Sequence, residues 1–125
     1  MIAEKEAQQV EQIVKSEDLI VNDWDGVSVL YGNIWGKGYI FNLPTTAEEH
    51  GSQALDRLAQ AITEAKQRGG KIYFLGVLDY PEQYWNNHLG IRGISYHSFD
   101  NYRKSAVPIL SFKIDKEEIS LRLLD

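Results

Sequence analysis

Apolar residues recur in this chain with two different rhythms, and the rhythms divide it into elements. Ala3, Ala7, Val10, Ile13 and Val14 return every three or four positions between Glu, Gln and Lys. A 3.6-residue period gathers such positions on one face, so residues 3–16 are expected to form an amphipathic helix. Leu19-Ile20-Val21-Asn22 is a short β-branched run and predicts a buried strand. Stretch 26–35 carries both rhythms. Val27, Leu30, Tyr31 and Ile34 fit a helical stripe, while Val27 to Tyr31 also fit a strand; the helix is preferred, with Asp25 as N-cap and Gly36 to Gly38 as its stop.

Tyr39 to Leu43 reads as the next strand, ended by Pro44. The longest helix is expected after it. Thr45 with Glu48, or Thr46 with Glu49, offers a capping box, and Ala54, Leu55, Leu58, Ala61, Ile62 and Ala65 make one apolar face. Lys66 and Arg68 suit the last turn and Gly69-Gly70 ends it. Lys71 to Asp79 is almost unbroken apolar sequence, the pattern of a central strand covered on both faces. Pro81 to Leu89 predicts a short helix stopped by Gly90, and 98–104 one or two further helical turns. Residues 109–114 and 119–124 read as strands joined by the polar turn Asp115 to Glu118, an antiparallel hairpin at a sheet edge.

Alternating helices and strands followed by a hairpin predict an α/β fold. The expectation is a small Rossmann-like three-layer sandwich, its sheet mostly parallel, with a C-terminal antiparallel β-hairpin. The 125 residues suit one domain, 1–125, and a 43% hydrophobic share supplies its core. The hairpin edge offers a surface on which a second copy could pair into a homodimer.

A net charge of −5 argues against nucleic acid as a partner. The absence of cysteine removes disulfides, thiolate catalysis and cysteine-held metals. No run approaches the roughly 20 apolar residues of a membrane span. The polar, acidic start MIAEKEAQQVEQIV differs from a signal peptide. A complete chain of this kind reads as cytosolic; a piece of a longer protein is free of that inference.

Ligands of open α/β sheets bind beyond the carboxyl ends of the strands. That rule gathers Asn22, Asp23 and Asp25 after the first strand, Asn42 and Thr45 after the second, and Asp79 and Tyr80 after the third; all but Asn22 are kept as candidate ligand residues. Tyr96 joins them from an aromatic-rich loop that suits sugar stacking or a protein partner. The same acids also have a purely structural reading, as helix caps and turn formers. Three convergent acids would hold Mg²⁺ through oxygen. Asp23-Trp24-Asp25-Gly26 after a strand is similar to the first motif of haloacid dehalogenase phosphatases, but the later acidic motifs of that family have no counterpart. No P-loop or G-x-G-x-x-G is present, so no motif specifies a cofactor. His50, His88 and His97 lack metal-ligand spacing; His50 is a candidate acid or base.

Several segments together resemble a known family. Asp18 to Asp25, Leu30-Tyr31, Tyr39 to Leu43 and the helix ending Arg68-Gly69-Gly70-Lys71-Ile72-Tyr73-Phe74-Leu75 look like the soluble domain of some bacterial polyprenyl-phosphate-dependent sugar transferases, related to protein mannosyltransferases and aminoarabinose transferases. The resemblance covers roughly residues 15–112. It implies an extracytoplasmic, non-catalytic domain, with a sugar, a sugar phosphate or the membrane-embedded transferase portion as partner. It carries over no catalytic residue. The expected function is therefore an accessory or ligand-binding α/β domain. The alternatives are a small metal-dependent enzyme, phosphatase- or transferase-like, using Asp23, Asp25 and Asp79, and a stand-alone interaction or immunity-type protein.

Overall fold

Five apolar runs pair into one sheet. In the computed structural model, which describes residues 4–23, 39–114 and 117–124, the strands are β1 (Leu19–Asn22), β2 (Tyr39–Asn42), β3 (Ile72–Leu75), β4 (Ala106–Ile114) and β5 (Glu117–Leu124). Their order is β2-β1-β3-β5-β4. β1 runs parallel to both β2 and β3, whereas β5 is antiparallel to β3 and to β4. The sheet is thus mixed, which corrects the expectation of a mostly parallel one. The cause is the C-terminal hairpin. It does not hang outside the sheet but supplies two of its five strands, with β5 docked on β3.

Side-chain alternation along these strands makes two cores. On one face Leu19, Val21, Ile72 and Phe74 pack under α2 (Leu43–His50), α3 (Ala54–Gln67), α4 (Glu82–His88) and α5 (Asp100–Ser105). On the other, Ile20, Tyr73, Leu75, Phe112, Ile119 and Leu121 pack against Val10 and Val14 of the helix α1 (Glu4–Ile13) and its end. Helices therefore lie on both faces, as expected of an α/β fold. Asp18 joins the two ends of this arrangement. Its carboxylate accepts the Lys15 and Lys71 N–H groups, each at 2.8 Å, and so ties the end of α1 to the start of β3. Gly70 is required just before that strand, because a Cβ there would lie 2.0 Å from the Glu17 carbonyl oxygen.

Besides a first helix that ends at Ile13 and hairpin strands that begin earlier, at Ala106 and Glu117, three boundaries between β2 and Asp79 differ from the sequence reading. β2 stops at Asn42, and the helix begins at Leu43 with Asn42 as its N-cap. The Asn42 side chain accepts the Thr45 N–H at 2.9 Å, and the Thr46 hydroxyl donates to the Asn42 carbonyl at 2.8 Å. The capping role given to Thr45 or Thr46 thus belongs to Asn42, whose amide oxygen reaches the orphan N–H groups of the first turn. The long helix is two helices. Gly51, at φ 60°, ends α2, and a 3-10 turn over Gly51–Gln53 re-aims the chain into α3. β3 ends at Leu75 instead of continuing to Asp79. Gly76 adopts φ 85° and sends Val77–Asp79 into a 3-10 turn, which stays buried and so keeps the apolar composition of a strand.

Candidate functional site at the carboxyl ends of the strands

The chain order around β1 reverses in direction: β2 lies on one side of it and β3 on the other, and all three run parallel. The carboxyl ends of β1 and β3 therefore border the position where a crevice forms in open α/β sheets. Asn22 and Asp23 sit there, both fully buried. In register, Asn22 stands between Asn42 of β2 and Leu75 of β3. It shares the face of Ile20 and Leu75, an apolar setting for a primary amide. Among the described residues neither its Nδ2 nor its Oδ1 has a hydrogen-bond partner.

Asp23 turns toward the end of β3. A Cβ on Gly76 would lie 2.8 Å from both Asp23 carboxylate oxygens, so the bare Gly76 backbone is what admits this carboxylate. Beyond Gly76 lies a cavity of about 220 Å³ lined by Gly76, Asp79, Tyr80, Pro81, Tyr84 and Glu118, among others.

Asp79 is held by the protein. Its Oδ2 accepts the Ser120 N–H at 2.7 Å, both its oxygens accept the Ser120 hydroxyl at 2.8 and 2.9 Å, and its Oδ1 accepts from Arg122 Nη2 at 3.0 Å. These bonds clamp the 3-10 turn after β3 onto β5. Tyr80 is buried with its ring edge-on to Tyr84, centroids 4.4 Å apart. Tyr96 lies elsewhere, under the Arg103 guanidinium at 3.6 Å, and its carbonyl accepts from Arg103 Nη1 at 2.8 Å. Arg103 also lies 5.0 Å from the ring of Trp85, whose Nε1–H donates to the Ile94 carbonyl at 2.9 Å. That shelf is part of the packing around Phe74, Phe99 and Tyr102.

Of the residues selected from sequence, Asp23, Asp79 and Tyr80 thus gather around Gly76. Asn42 and Thr45 form a helix cap, and Tyr96 belongs to a separate aromatic shelf. Asp25, with the short helix expected over 26–35, lies outside the described residues. Among the described residues no group of three His, Asp or Glu side chains is placed to hold a metal ion. Asn22 is gathered with the other strand-end residues by the carboxyl-end rule but not retained as a candidate ligand residue. Its one sequence signal is a polar residue closing the run Leu19-Ile20-Val21, and burial is what gives that signal weight.

Two phenols are perturbed. Tyr102 ionises above its usual 10.0 because burial disfavours the phenolate. Tyr73 is also raised, by burial first and then by the negative charge of Asp18.

Comparison of the chain with models of protein families, with curated proteins and with solved structures finds no match.

Proposed function

We propose that this chain is a non-catalytic ligand-binding domain of Rossmann-like build that takes a sugar-type ligand at the carboxyl ends of β1 and β3. The parallel β2-β1-β3 unit supports the Rossmann-like description. One observation carries the site: Asn22 is fully buried and, among the described residues, neither polar atom of its amide has a hydrogen-bond partner. Leaving such a group unsatisfied costs about 1–3 kcal/mol. Stability given up in this way is characteristic of binding sites. A primary amide presents one donor and one acceptor side by side, and vicinal hydroxyls of a sugar, each able to donate and to accept, complement it. The neighbouring Asp23 carboxylate suits a neutral hydroxylated ligand better than a phosphate at this position, since two negative charges repel. The resemblance to the soluble domains of polyprenyl-phosphate-dependent transferases agrees with a sugar ligand and gives the domain its accessory role.

The test is a thermal-shift screen of the wild-type chain and Asn22→Leu against neutral sugars, sugar phosphates, nucleotides and divalent cations. A ligand that binds only the native state raises its melting temperature by mass action. The expected result is a shift with a neutral sugar in the wild type that is lost in Asn22→Leu. A shift confined to Mg²⁺ or Mn²⁺ would instead favour the carboxylate-based enzyme, and a sugar shift retained in Asn22→Leu would move the site elsewhere.

A further inference from the structure

We propose a second, independent site: a carboxylate-binding groove between β2 and α3, centred on Arg68. The groove has a volume of about 510 Å³ and runs between the sheet edge at Tyr39 and Phe41 and the helical residues Thr46, His50, Glu64 and Arg68. Arg68 is fixed within it. Its guanidinium carbon lies 3.5 Å from the centroid of the Tyr39 ring, and its Nε–H donates to the Glu17 carbonyl at 2.8 Å. The stack sets the plane of the guanidinium and the Nε bond sets its rotation about the side-chain axis. No acceptor among the described residues engages the two terminal nitrogens. A half-buried guanidinium oriented in advance, with both terminal N–H₂ groups unengaged, matches the paired oxygens of a carboxylate or phosphate.

The surroundings favour a carboxylate. Glu49, Glu64 and Arg57 also line the groove; its two cations are matched by two carboxylates, which oppose a doubly charged phosphate more than a singly charged carboxylate. Thr46, Gln60 and His50 add polar groups along the rest of its length. A small polar monocarboxylate, such as a sugar acid, fits this combination. The cation pairing does not depend on Asn22 or the carboxyl-end crevice, so either site can fail without the other.

Titration of the wild-type chain with sodium glucuronate, sodium phosphate and sodium chloride at matched ionic strength tests the proposal, read by melting temperature and by the ¹⁵N resonances of the arginine guanidinium groups. Glucuronate is expected to raise the melting temperature more than phosphate does, and to shift the Arg68 resonances. Arg68→Lys keeps the charge but loses the fork, and should weaken glucuronate binding about tenfold. Lys104→Ala removes an exposed cation from the last turn of α5, outside the groove, and should leave the affinity unchanged. The proposal is overturned by a glucuronate effect no larger than that of chloride, by unmoved Arg68 resonances, or by equal losses in Arg68→Lys and Lys104→Ala. A larger effect of phosphate than of glucuronate overturns the carboxylate assignment. If Arg68→Lys does not fold, the wild-type resonances and Lys104→Ala still decide.

Discussion

Replacing Asp79 by asparagine should unfasten the turn after β3 from β5 without changing side-chain volume. In the native chain the carboxylate meets three donors: the Ser120 N–H, the Ser120 hydroxyl and Arg122 Nη2. The Asp79 side chain is only 17% exposed, so water replaces little of what is lost. An asparagine keeps one acceptor oxygen and turns an N–H₂ group toward the remaining donors. A hydrogen bond to a charged group contributes about 1.5–3 kcal/mol and a neutral one about 1 kcal/mol. Weakening two such bonds by about 1 kcal/mol each gives a loss of about 2 kcal/mol. For a chain of this size that is a fall in melting temperature of about 8 °C. Urea denaturation should show a lower midpoint at unchanged slope, and the Ser120 amide should exchange its hydrogen faster. In an Arg122→Gln background the same substitution should cost less, because one of its partners is already gone. A loss below about 0.5 kcal/mol, with Ser120 still protected, would refute the clamp.

Two further outcomes follow from the same geometry. Gly76→Ala places a Cβ 2.8 Å from both Asp23 oxygens on a backbone at φ 85°, so a loss of about 3 kcal/mol in urea denaturation is expected. In an Asp23→Ala background the steric part of that loss should vanish, leaving only the cost of the positive φ. Raised values for Tyr73 and Tyr102 bear on alkaline stability. An unfolded tyrosine ionises near 10.0 while the folded one ionises higher, so the native state holds the proton longer. Stability should be flat with respect to these groups below that pH and fall as pH rises from about 10 toward their folded values. Absorbance titration should find these two phenols ionising above the usual 10.0; ionisation of both at that value would contradict the burial argument.

Elements with one dominant local signal were readable from sequence, and those decided by tertiary geometry were not. The run Leu19-Ile20-Val21 could only be a buried strand, and the hairpin followed from two apolar runs around a polar turn. The end of β3 was hidden because Val77 and Leu78 are buried in the 3-10 turn as fully as strand residues are. Only the positive φ of Gly76 separates the two conformations. The split between α2 and α3 was hidden likewise, since the apolar face resumes after Gly51 in helical register. The parallel share of the sheet was overestimated because nothing local tells a hairpin which neighbour β5 will choose. At the candidate site the carboxyl-end rule found Asp23, Asp79 and Tyr80. It did not separate Asp79, which is engaged by Ser120 and Arg122, from Asn22, whose amide has no partner among the described residues. The groove left a partial trace, because Arg57, Gln60, Ala61, Glu64 and Arg68 keep helical spacing beside the apolar face of α3. Tyr39 and His50 join that stripe only through the packing of β2 and α2.

The account rests most heavily on Asn22 being retained for a ligand and against stability. Urea unfolding of Asn22→Leu in the absence of any ligand tests this directly. Leucine has nearly the same shape, removes a buried amide that has no partner among the described residues, and meets Ile20 and Leu75 on the same face of the sheet. The variant should therefore be more stable than the wild type, by about 1–3 kcal/mol. A less stable Asn22→Leu would show that the amide is a structural group satisfied within the fold, and would contradict the binding role assigned to it.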